Sequence, residues 1–220
     1  MERRIPQLTA IMLAVFGFLF GGSYDILNLS KDARSLSLHN AASAYDRSFL
    51  RNNPAALSLA TERNSYSSLI LPAGIHSGEI QQVRKMGSAI RAGKLSYTSY
   101  GTIYDSETKK KTTAYDILLE MGYKKELKNI VSVGISGGYL LSSICGYRSQ
   151  LLYTNIGIRS RMMRKRIGLG FSLENLGFLI TPYTDVKESM PAIFRSAVYY
   201  KPKYLQAIIT LDIIRNLDRG

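Results

Sequence analysis

Residues 167–174 read Ile-Gly-Leu-Gly-Phe-Ser-Leu-Glu, and their alternation decides the fold. Successive side chains of an extended chain point to opposite faces. Ile167, Leu169, Phe171 and Leu173 therefore share one face, and Gly168, Gly170, Ser172 and Glu174 the other. The same period recurs up and down the chain. Tyr115, Ile117, Leu119, Met121 and Tyr123 align against Ala114, Asp116, Leu118, Glu120 and Gly122. Val131, Val133, Ile135, Tyr139 and Leu141 oppose Ser132, Gly134, Ser136 and Gly138. Leu152, Thr154, Ile156 and Ile158 oppose Tyr153, Asn155, Gly157 and Arg159. A last strand is expected over 204–214, with Leu205, Ala207, Ile209, Leu211 and Ile213 on one face. Past residue 60 the period is two throughout, in about eight to ten segments.

Strand length separates two architectures. Several segments run for ten or more residues, whereas strands of soluble proteins are mostly about five or six long. A tilted strand crosses a bilayer in roughly 9–11 residues. The second face is small and polar, rich in Gly, Ser, Thr and Asn, which suits a barrel interior where a plug or closely approaching strands leave little room. The reading is all-β: an antiparallel transmembrane β-barrel over 61–220, preceded by an N-terminal segment (24–60). A secreted soluble β-sandwich, which would also alternate, is the alternative. Tyrosines at strand ends (Tyr97, Tyr100, Tyr104, Tyr115, Tyr123, Tyr139, Tyr153, Tyr199, Tyr200) fit interfacial girdles.

Connections are expected at Asp105–Lys111, at the basic stretches 123–129 and 159–166, and after Asn175-Leu176-Gly177, where a strand should close. The longest irregular stretch then runs from Pro182 to Met190-Pro191. No long repeat or low-complexity linker marks a second domain.

Residues 1–23 have the pattern of a secretory signal: Arg3 and Arg4, an apolar run from Leu8 to Phe20, then Gly21-Gly22-Ser23. The apolar run is too short for a membrane-spanning helix; an uncleaved N-terminal anchor is the alternative. The mature chain is expected to begin near Tyr24. The formal charge is +13, of which Glu2, Arg3 and Arg4 contribute +1. A basic chain often points to nucleic acid, but an exported one meets anionic lipid phosphates instead. The expected partners are outer-membrane lipid and lipopolysaccharide, with no nucleic acid.

An enzyme is not expected. His39, His76 and Cys145 show no metal-ligand spacing. Gly134-Ile135-Ser136-Gly137-Gly138 lacks the Lys-Ser/Thr of a phosphate loop and reads as a place where backbone approaches closely. The lone Cys145 excludes an internal disulfide and reads as a buried thiol. No catalytic residue, cofactor or metal is assigned.

Residues 31–60 carry a second signal. Proline fixes its own φ and pushes Asn53 into an extended conformation. The Asn53 side chain can then close a turn on nearby backbone, so that Ala55 onwards starts a helical turn.

This segment resembles the N-terminus of the PorV/PorQ family of bacterial outer-membrane proteins, relatives of the FadL fatty-acid channels. The matching residues are Ala33-Arg34-Ser35-Leu36-Ser37-Leu38, Ala41 to Tyr45 and Asn53-Pro54-Ala55, with Asn175-Leu176-Gly177 and Met190-Pro191 as later landmarks. The resemblance implies a FadL-like barrel, with Arg34, Asn53, Pro54 and Ala55 as a structural plug motif. By resemblance that barrel is larger than the strand segments found here, so the chain is expected to form an incomplete one with an open seam or few pairing bonds at 204–214, or a barrel in which that strand closes on an early one with strained curvature. The resemblance also implies a docking or structural role in a secretion or surface-attachment system, with secretion-system proteins as partners. Its FadL side implies the alternative, a channel for a hydrophobic ligand. Either role places the protein in the cell outer membrane.

Overall fold

The computed structural model describes residues 24–28, 36–38, 41–45, 52–57, 63–71, 74–104, 111–127, 130–183 and 190–217. The expected signal, Arg34 and His39 lie outside them. The described residues form a single antiparallel sheet of nine strands, each paired with its neighbour in sequence. The strands are β1 (Arg63–Leu71), β2 (Ile75–Met86), β3 (Ala89–Tyr104), β4 (Lys111–Leu127), β5 (Val131–Ile144), β6 (Tyr147–Met162), β7 (Ile167–Thr181), β8 (Ile193–Tyr200) and β9 (Ile209–Asn216). The protein is all-β, with no second sheet among the described residues.

The polarity of the sheet is inverted relative to a water-soluble domain. Ser132, Ser136, Asn155, Arg159, Ser172 and Glu174 are buried. Ile135, Ile156, Ile158, Phe171 and Phe194, one residue out of phase, are exposed. The alternation read from sequence is correct in phase on every strand named above. It is the apolar face that looks outward.

A single sheet can bury one whole face only by curling around something. The N-terminal segment is what it encloses. Tyr24 packs with Leu118, Leu140, Leu151 and Tyr153 of β4, β5 and β6. Leu57 packs with Val83, Ile90 and Ala92 of β2 and β3. Ala44 packs with Ala197 and Tyr199 of β8. One short stretch of chain thus touches the inner wall from β2 to β8, and the fold is barrel-like. The edge strands β1 and β9 are not paired with each other among the described residues. Because every neighbouring pair is antiparallel and the number of strands is odd, β1 and β9 run in the same direction.

Several boundaries differ from the sequence reading. Lysines 124 and 125 do not begin a turn: β4 continues to Leu127, and Lys124 points inward and is buried. Arg159 and Arg161 likewise belong to β6, so the turn is confined to 163–166. Asn175-Leu176-Gly177 does not close a strand. It sits at a bulge inside β7, where Asn175 takes φ 58° and the register against β6 slips by one residue. The slip exchanges faces: outward positions are odd up to Leu173 and even at Phe178 and Ile180. The last strand starts at Ile209 rather than 204. Cys145 is half-exposed in the β5–β6 turn with φ 52°, not buried. At the N-terminus, 36–38 form a helical turn with Leu36 and Leu38 exposed.

Candidate functional site

The candidate site is the seat that holds the N-terminal segment against the inner wall. Asn53 is extended (φ −85°, ψ 103°) and caps a single 3-10 turn, Pro54–Ala56, as its position before proline dictates. Its Oδ1 accepts from the Ala55 N–H at 3.0 Å. Its Nδ2 donates to the Ile158 carbonyl of β6 at 3.3 Å. The Ser132 hydroxyl of β5 donates to the Ala55 carbonyl at 2.9 Å. The Arg159 guanidinium donates to the Ala56 carbonyl at 3.4 Å and to Ser132 Oγ at 3.3 Å. A turn buried away from water leaves backbone groups to be satisfied, and the sheet supplies partners for them.

Space for that turn comes from three glycines on adjacent strands. Gly134 and Gly157 are directly paired across β5 and β6. A Cβ on Gly134 would overlap the Pro54–Ala55 peptide, and one on Gly157 the Asn53 side chain. A Cβ on Gly170 of β7 would stand 3.0 Å from Ala44 Cα and 3.1 Å from Asn53 Nδ2. The Gly-rich inner face is therefore a socket shaped to backbone. Two further inward glycines are covered differently: the Tyr153 ring lies over its cross-strand partner Gly138, and the Tyr199 ring over Gly168. These two tyrosines are inner-wall residues rather than girdle residues, as is Tyr100, which donates to Asp116 at 2.5 Å.

Asp212 of β9 makes a second anchor. Its two carboxylate oxygens accept from the Ala42 and Ser43 N–H groups at 2.9 and 3.0 Å, with Ala42 at φ 65°. The Arg195 guanidinium of β8 stands 3.8 Å from the same carboxylate and bonds Glu174 at 2.9 Å. At the other end, the Tyr24 hydroxyl is 2.7 Å from Ser149 Oγ and its ring stacks on Tyr183 at 5.9 Å. Asn175 Nδ2 donates to Asn28 Oδ1 at 3.0 Å.

The inner wall also carries charge, which the run of Gly, Ser and Thr concealed. Lys94 and Glu120 form a buried pair at 2.5 Å. Lys124 and Arg161 both reach Glu126, at 3.1 and 2.8 Å. Buried charges of this kind need partners: Lys94 finds Glu120 across β3 and β4, Lys124 finds Glu126 two residues on along β4, and Arg161 reaches the same carboxylate from β6. Between the segment and the wall, the cavity lined by Asn52, Lys94, Glu120, Asn155 and Glu174 is about 20 Å³.

Of the expected motif, Asn53, Pro54 and Ala55 are thus brought together on the inner wall, and Arg34 lies outside the described residues. Gly134 falls in the glycine run read from sequence as a close backbone approach, and Ser132, Arg159, Asp212, Gly157 and Gly170 were not singled out. Their shared phase on the buried face was the available signal. Among the described residues no cluster of His, Cys, Asp and Glu could hold a metal ion. Neither the models of known protein families nor the curated proteins contain a match to this chain.

Proposed function

We propose that the protein is an integral β-barrel protein of the bacterial outer membrane, of the PorV/PorQ type, working as a docking or structural component of a secretion or surface-attachment system. The observation that carries the membrane reading is the inverted polarity: an apolar outer face over a polar, charged interior. In water, that outer face would leave a large contiguous apolar surface exposed. In lipid it is solvated, while backbone groups pair between neighbouring strands.

A docking or structural role is favoured over passage of a hydrophobic molecule. The interior is occupied by the chain's own N-terminal segment, held by hydrogen bonds to the wall. Among the described residues, the cavity between segment and wall near Glu120 is about the size of one water molecule. Apolar grooves lie on the outer face instead, as at Val133, Ile156 and Phe171.

Depth labelling tests the membrane reading. In a Cys145→Ser background, a fluorophore on Ile156→Cys is quenched by lipids brominated in the acyl chain, and one on Asn155→Cys is not. Equal quenching at the two positions refutes it. Mild detergent extraction from the native envelope then separates the roles. Retained protein partners support docking, and a retained fatty ligand without them supports passage.

A further inference from the structure

The strands' connections alternate between two ends of the sheet, and one end collects the basic residues. It comprises the connections 87–88, 128–130, 163–166 and 201–208. Lys85, Lys125, Arg164, Lys165, Arg166 and Lys203 are exposed there. Within three positions of these connections Glu126 is the only acid, and it is already bound to Lys124 and Arg161.

On the outer face of this end, Arg84 of β2 and Arg91 of β3 stand directly opposite each other. Both are exposed, and among the described residues no carboxylate pairs with either. Like charges paired across strands destabilise a sheet, so an anion between them would relieve a cost. Directly beside them a groove of about 630 Å³ opens on the outer face, lined by Met86, Gly93, Met121, Tyr123, Ile135 and Gly137. Its floor is low because Gly93 and Gly137 flank Met121 in one cross-strand row. A Cβ at Gly93 would meet nothing within 4 Å. Two guanidiniums set above an apolar trough match an amphiphile with a phosphate head and an acyl chain.

We infer that Arg84, Arg91 and the groove floored by Gly93 and Gly137 form a specific site for a phosphate-bearing membrane lipid. The guanidiniums hold the phosphate and the groove seats one acyl chain. The inference rests on the outer face being in lipid. The site anchors the basic end at one leaflet surface.

Native mass spectrometry of the full-length protein, released from detergent micelles supplied with phosphatidylglycerol, reads the site as retained lipid. Arg84→Gln combined with Arg91→Gln is expected to lower retention roughly 100-fold, from a factor of about ten for each charge-assisted hydrogen bond lost. Gly137→Leu, which fills the groove without changing charge, is expected to lower it as well. Arg164→Gln with Arg166→Gln removes the same charge from a turn outside the groove and should lower retention by clearly less than the site pair does. Inorganic phosphate at millimolar concentration should not displace the lipid. Equal losses in the site and turn variants, or unchanged retention in Gly137→Leu, would overturn the site in favour of a diffuse basic rim. Displacement by phosphate would overturn the lipid in favour of a free anion. If labelled Ile156→Cys is quenched as expected while the site variants retain lipid, this inference alone fails. If that quenching is absent, the membrane reading fails first.

Discussion

Replacing Gly157 by alanine places a methyl group where Asn53 now sits. Rotating the Asn53 amide away is not enough, because the new Cβ would also meet Asn53 Cγ at 2.9 Å and the Pro54 ring at 3.1 Å. The ring fixes φ at Pro54 and leaves the turn little room to adjust. The segment must therefore lift off the wall. Two Asn53 hydrogen bonds are lost, each contributing about 0.5–1.5 kcal/mol. Overpacking adds about 1–3 kcal/mol. The opening free energy of the segment should fall by about 2–6 kcal/mol, while the sheet keeps its own pairing. Hydrogen exchange read by mass spectrometry in detergent measures this. Where exchange tracks local opening, amides at 55–57 should exchange roughly 30 to 25,000 times faster, and amides of β5 and β6 should change little. Gly93→Ala, whose methyl enters open space on the outer face, serves as the control. Unchanged protection at Ala55 in Gly157→Ala would refute the socket, and equal loss across the sheet would show that plug and wall open together.

The same geometry sets three further outcomes. Ile156→Lys lies near the middle of β6 on the outer face and should cost about 2–4 kcal/mol in a lipid refolding titration, whereas a lysine at Leu169, close to the strand end, should cost about 0–1 kcal/mol. Glu174→Gln removes the close partner of Arg195 and should destabilise by about 3–5 kcal/mol, measured by thermal loss of the β-sheet circular dichroism signal. Asp212→Asn weakens the charge-assisted bonds to the Ala42 and Ser43 N–H groups; limited proteolysis should then cut the 41–45 region faster while leaving the sheet resistant.

The sequence by itself determined the class of the fold and the phase of its faces. A period of two sustained over long segments has one physical cause, the alternation of side chains on an extended chain, and needs no knowledge of which strands are neighbours. The Asn53-Pro54-Ala55 turn was legible for a similar reason, since proline and its predecessor restrict φ and ψ locally. Tertiary structure alone decided what depends on register. Arg159 and Lys124 read as turn residues because a charge near a strand end looks solvated until the Ala56 carbonyl meets one and Glu126, further along the same strand, bonds the other. Asn175 read as a strand end because a bulge and a terminus look alike until pairing with β6 resumes beyond it. Gly134, Gly157 and Gly170 are far apart in sequence and became a socket only when antiparallel pairing set them side by side. Arg84 and Arg91 became one anion site in the same way: pairing places two like charges face to face, and no local rule could foresee that.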